Sequence, residues 1–427
     1  MRKPIIILLL LMSIFLVSCS KKNEYKKNLN EVKLVDVKDV VKTKSGYTFL
    51  NENEDLLDKI NSFSALLTYE FIQSATDNSV ISPLSVYMAL ALTYEALDSG
   101  AKEELLNALK VTENDLKKTR ELIETLTMNY AYGDGLNKKE VSRLTLTNSL
   151  WFDMDNGLEY NKEVLKRMAD DYYCHIMQAP FNTDNKKANQ ILRDFVKDET
   201  NGLIDRDFAI SSDVLALIVN TLYLKDMWSD EGFLSTEGRD FNGHKQDFLI
   251  GNYFNGKTYI DRKYSSFYTK TYSGFKIHFI LPNEGQDIKE IMTSSTIYNT
   301  INRQYEVVNE ELMEQYHTRV IFPKFNASGD VDLKKILEEK FGVRKLFSGF
   351  LSPLTDSELY VTGINHKAEL KVDEKGIEGA AVTYIPMCGS AAPVYRDVYY
   401  DFIVDRTFGF VVTTSDNVIL FSGVVSK

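Results

Sequence analysis

Gly251-Asn-Tyr-Phe-Asn-Gly-Lys257-Thr258 has the residue types and spacing of a phosphate-binding loop. That chemistry needs a helix to open at the lysine, so that its N-terminus faces phosphate. Here Tyr259-Ile260-Asp261 continues with strand-like alternation, and Asn255-Gly256 is a hairpin signal. The segment is therefore expected to be strand and turn. None of the 5 histidines falls in a His-Glu-x-x-His pattern, and the chain holds no Cys-x-x-Cys and no Gly-x-Ser-x-Gly. No metal and no cofactor is expected. A catalytic triad has no set order along a chain, so an enzyme stays an open alternative. A different chemistry is written in residues 374–393, Glu-Lys-Gly-Ile-Glu-Gly-Ala-Ala-Val-Thr-Tyr-Ile-Pro-Met-Cys-Gly-Ser-Ala-Ala-Pro. Its first half is small, β-compatible and almost uncharged. Its second half, with two prolines and a Gly-Ser pair, reads as an exposed loop.

The rest of the chain must position that segment. With 427 residues, 44% hydrophobic, 12% aromatic and only 8 prolines, it can build a large packed core and is not a disordered chain. A net charge of −11 argues against nucleic acid as a general partner. Leu56, Ile60, Phe63, Leu67 and Phe71 have helical spacing, which predicts a helix over 53–74. Residues 78–109 read as a short strand, a turn at Ser82-Pro83, and a helix opening at that proline with Ala89, Leu90, Leu92 and Leu97 buried. Residues 144–152 alternate like a strand, followed by a helix at 160–172, a strand at 173–181 and a helix at 186–199. Leu215-Ala-Leu-Ile-Val219 is a continuous apolar run, the mark of a buried central strand. Short strands follow over 247–282, then a helix at 331–341 and a strand at 359–372. The chain closes with a hairpin around Ser415-Asp416-Asn417. The sum is one α+β domain with large mixed or antiparallel sheets.

The N-terminus reads as a targeting segment. Arg2 and Lys3 precede an apolar run from Ile5 to Val17, too short to span a bilayer comfortably. Leu16-Val17-Ser18-Cys19 resembles the cleavage box of bacterial lipoproteins. That resemblance implies a signal peptide over 1–18, acylation of Cys19, and an exported protein held at a membrane of the cell envelope. Residues 19–50, rich in Lys, Asn and Glu, form a solvated spacer to a domain over 51–427. Cys174 and Cys388 are then the remaining thiols, and both are expected to be free.

Five stretches, in order, resemble the serpin family of protease inhibitors. They are Asn78-Ser-Val-Ile-Ser-Pro-Leu-Ser-Val86, Asn189 to Gly202, Asn220-Thr-Leu-Tyr-Leu-Lys225 with Trp228, Pro323-Lys324-Phe325, and residues 364–383. The resemblance spans about 53–427. It implies a serpin fold and a shutter of Ser82, Ser85, Asn220 and His366 where central strands part. It also implies a breach of Trp228, Lys324 and Glu374 at the top of the sheet. Glu374, Gly376, Ile377, Gly379, Ala380, Ala381, Val382 and Thr383 would form the hinge.

The family mechanism is a suicide-substrate trap. The target protease attacks the loop, and the cleaved loop enters the sheet before the acyl-enzyme hydrolyses. About 15 residues at ~3.3 Å each would carry the protease roughly 50 Å. Alternate hinge residues must then be buried, here Ile377, Gly379, Ala381 and Thr383, a set without charge or proline. Ile377 replaces the usual small Thr or Ser, and Gly379 the usual Ala, which predicts some leakage to substrate turnover. Family spacing puts the reactive bond at Ser390–Ala391, with Arg396 as runner-up. The first suits elastase-like, subtilisin-like or cysteine proteases, the second trypsin-like ones. The expected partner is a target protease, met by a monomer. The alternative is a non-inhibitory relative acting as a surface binding protein.

Overall fold

A computed structural model describes residues 52–75, 77–129, 132–133, 140–154, 157–228, 234–377 and 395–427. Three sheets and their covering helices pack around one large apolar cluster, with a smaller second cluster around Trp151 and Phe195. The first helix, α1 (Glu54–Ser74), buries Leu56, Ile60, Phe63, Leu67 and Phe71, the stripe its spacing requires. After β1 (Ser79–Ile81), helix α2 starts at Pro83 with Ser82 as its N-cap and runs to Tyr94. Proline at the first helical position loses nothing, because its missing N–H would have had no intrahelical acceptor. The helix expected to carry on toward Leu109 instead stops at Tyr94. A separate helix α3 (Ser99–Leu109) restarts where the Asp98 carboxylate accepts the Ala101 amide at 2.8 Å. Leu90, Leu92 and Leu97 are buried, whereas Ala89 is half-buried.

The largest sheet has 7 strands among the described residues. Its order is β13 (Phe325–Asp332), β14 (Asn365–Asp373), β15 (Gly376–Ile377), β5 (Ala216–Met227), β3 (Glu140–Asp153) and β2 (Tyr132–Gly133), with β4 (Cys174–Ala179) parallel to β3. A five-strand sheet combines β6 (Leu234–Phe241), β7 (His244–Asn255), β11 (Val308–Asn309), β12 (Glu314–Pro323) and β16 (Arg396–Ile403), the last parallel to β12. A six-strand sheet holds β1, β8 (Tyr259–Ile260), β9 (Tyr264–Lys270), β10 (Lys276–Pro282), β17 (Phe408–Thr413) and β18 (Ile419–Val425). The phosphate-loop pattern at 251–258 is strand β7 followed by a turn into β8, with no helix at Lys257. The helices expected at 160–172 and 186–199 form as Lys162–Tyr172 and Asn185–Glu199, capped by the side chains of Asn161 and Asp184.

Three further expectations need correction. The helix expected at 331–341 begins only at Lys334, because Val331 and Asp332 still pair with His366 and Asn365 in the β13–β14 ladder. The strand expected at 359–372 begins only at Asn365, since 359–364 have no strand partner among the described residues. The run Leu215–Val219 does lie at a central strand, yet it is half-buried and not fully enclosed. One edge of β5 pairs with β3 from Ala216 to Asp226; the other edge, among the described residues, pairs only at Asp226 and Met227.

Candidate functional site

That half-paired edge defines the site. Among the described residues, β14 and β5 are linked only through the two residues of β15, which pair Ile377 with Val372 and Asp226, and Gly376 with Asp373 and Met227. Below this bridge, among the described residues, no strand partners Ala216–Lys225 on that side, nor Asn365–Lys371. Unpaired strand edges facing one another are a template for a further strand.

The bridge end is held by close backbone packing and charge. Gly376 has φ +142°, and a Cβ there would lie 2.1 Å from the Asp226 carbonyl oxygen, so only glycine fits. Ile377 is 1% exposed and joins the core. The bulk that looked awkward in sequence is thus seated, because Val372 and Asp226 leave it a core-facing position. Trp228 is buried and donates its indole N–H to the Asp373 carbonyl at 2.8 Å. Lys324 Nζ stands 3.0 Å from Glu374 and 3.5 Å from Asp247. A local backbone hydrogen bond and then Lys324 hold the Glu374 carboxyl below its usual range.

Asp226 is a site residue that motif reading missed. It is fully buried, and accepts the Ser273 amide at 2.9 Å, the Ser273 hydroxyl at 3.1 Å and the Met227 amide at 3.0 Å. Burial pushes its carboxyl up to about 6, against the pull of those donors. The signal was present: Leu222, Leu224 and Asp226 share one parity of a strand whose even positions face the core.

The middle of the opening is held by neutral hydrogen bonds at the first turn of α2. The Ser82 amide donates to His366 Nε2 at 3.0 Å on the β14 side. The Ser85 hydroxyl donates to Asn220 Oδ1 on the β5 side. The Asn220 amide reaches Asn148 Oδ1 at 2.6 Å, and Asn148 donates to the Tyr172 carbonyl at 2.7 Å. One helix turn therefore ties both edges. Burial lowers the His366 pKa to about 4, so the ring is neutral and accepts through Nε2. Among the described residues, the buried Ser82 hydroxyl has no hydrogen-bond partner. Asn148 also escaped motif reading, although it interrupts the apolar parity of Leu144, Leu146 and Leu150.

The loop beyond the bridge is only partly placed. Gly379, Ala380, Ala381, Val382, Thr383, Cys388, Ser390 and Ala391 lie outside the described residues, as does Cys19. Arg396 is the first residue of β16; its amide donates to the Met313 carbonyl at 2.8 Å and its guanidinium pairs with Glu314. Cys174 is a free, buried thiol whose pKa burial pushes up.

One family profile, described as Serpin (serine protease inhibitor), matches residues 58–427. The chain belongs to the serpin family. Among known serpins, Iripin-1 of Ixodes ricinus is 29% identical over 397 residues, covering 88% of this chain and 95% of its own. The thermophilic serpin tengpin in its native state superposes with a TM-score of 0.68 at 23% identity, covering 88% of this chain and 94% of that one. Human thyroxine-binding globulin in complex with thyroxine gives 0.69 at 20% identity, covering 86% and 98%. These structural likenesses establish the shared α+β serpin fold. Members of the family are typically protease inhibitors.

Proposed function

We propose that this serpin traps a serine or cysteine protease as a covalent acyl-enzyme by inserting its cleaved loop between β14 and β5. The observation that carries this reading is the pair of edges that, among the described residues, are joined only by Gly376 and Ile377. Serpins are themselves a standard example of strand addition to a sheet. Continuing the β15 register downward sets Ala381 between Leu222 and Ala368, and Thr383 between Asn220 and His366. Thr383 would then bring a hydroxyl to the neutral cluster, while the inward positions 379 and 381 above it are the small residues Gly and Ala.

Ser390–Ala391 is the preferred reactive bond. A protease needs an extended backbone free on both sides, and Arg396 already spends its amide and its charge within the five-strand sheet. A bond amid Met387, Gly389 and Ala391 suits elastase-like, subtilisin-like or cysteine proteases. Acylation at Cys19 would hold the inhibitor at a membrane of a bacterial envelope, the spacer 19–50 giving it reach. The test is incubation with a panel of secreted proteases. Inhibition should give an SDS-stable complex, and mass spectrometry should find a released peptide that begins at Ala391. Cleavage by every member of the panel without any stable complex would refute the trap and favour a non-inhibitory binding protein.

A further inference from the structure

The opening is also crossed on its outer face. Residues 200–210 run from the end of helix Asn185–Glu199 toward β5. Their side chains alternate in what they hold. Asp205 accepts from Arg193 at 2.7 Å and from Lys197 at 2.6 Å, and Asp207 from Arg193 at 2.9 Å, all on that helix. Between them, Arg206 points the other way and pairs with Glu369 of β14. Phe208 packs with the cluster that includes Leu217 and Val219 of β5, and the Lys367 ammonium of β14 lies 5.4 Å from its ring centre. Asn201 donates to the Tyr223 hydroxyl of β5 at 3.2 Å. The segment is therefore fastened to one edge of the opening by Asn201 and Phe208, and to the other by Arg206 and Lys367.

The heights coincide with the path of the loop. Continuing the β15 register, Ala380 would arrive between Tyr223 and Glu369, and Val382 between Thr221 and Lys367. Both side chains would face outward, into the space that the segment spans. A strand entering from the bridge end meets the strap within its first few residues. We propose that Arg206 and Glu369 form a latch across the opening, and that its release sets the rate at which a strand enters between β5 and β14. The two are positioning residues, since neither touches the reactive bond. Glu369 is half-buried, and burial holds its carboxyl above the ordinary value while Arg206 pulls it back. The latch is thus a charge pair that the strap alone completes. This inference rests on the insertion reading above.

Its test is uptake of a synthetic peptide with the sequence of residues 378–389 by the purified protein, followed on native gels and by the rise in thermal resistance. Arg206→Ala and Glu369→Gln should each take up peptide about twofold to fivefold faster than wild type, the range a partly exposed ion pair controls. Arg206→Glu combined with Glu369→Arg should return to the wild-type rate. Added salt should speed wild type and leave Glu369→Gln unchanged. Arg167→Ala, which breaks an ion pair with Glu95 elsewhere, is the control for general loosening. Equal acceleration in that control, or wild-type rates in both latch variants, would overturn the latch alone. A wild-type chain that accepts no peptide would overturn the latch together with the insertion reading.

Discussion

The bridge end and the middle of the central opening are held by different physics. At the bridge end, glycine backbone touches glycine-sized space, a carboxylate is buried without a cation among the described residues, and an exposed ion pair caps the top. In the middle, four neutral side chains hang from one turn of α2 and its strand neighbours. Neutral hydrogen bonds exchange partners at small net cost, whereas a backbone contact with no spare volume has no intermediate state. The difference assigns tasks. Under the proposed insertion, the bridge would fix where the strand begins and the middle would let it pass.

The largest effect that would break this contrast is expected at Gly376. Gly376→Ala adds a Cβ against the Asp226 carbonyl at a positive φ and should cost about 3 kcal/mol or expel β15 from the sheet. Thermal unfolding, with hydrogen exchange at the Val372 and Met227 amides, would show it. A fully stable variant would mean that the bridge is not tightly built. Next comes His366→Ala, which strands the buried Ser82 amide and should lose about 2 kcal/mol in urea unfolding.

The two clusters should also respond oppositely to protons. The folded pKa of His366, about 4, lies below its ordinary 6.5. Its contribution is complete above pH 6.5 and is lost as pH falls toward 4. The folded pKa of Asp226, about 6, lies above its ordinary 3.8. Its contribution is complete below 3.8 and is lost as pH rises through 6. Melting temperatures of Asp226→Asn relative to wild type should therefore climb from pH 4 to pH 8, while those of His366→Gln should fall. Parallel curves would erase the distinction. The smallest change is expected for Lys324→Ala: a partly exposed pair, worth about 0.5 kcal/mol and fading in high salt.

Much of this was readable without coordinates, and the exceptions share a cause. The stripe of α1, the proline opening of α2 and the hairpin of β17 and β18 follow from local spacing and turn chemistry, which act within a few residues. Asn148 and Asp226 were visible only as polar interruptions of an apolar parity, and nothing local says what they face. Val331 belongs to a strand because His366, distant in sequence, pairs with it.

Composition and periodicity determine that this chain forms a large α+β domain. Resemblance in five motifs names the family. Tertiary structure alone decides that Leu215–Val219 borders an opening, that one helix turn ties both of its edges, and that residues 200–210 cross it. Local sequence sets which face of a strand is apolar. Whether its edge has a partner depends on elements far away in the chain, and among the described residues that pairing leaves the facing edges of β5 and β14 open.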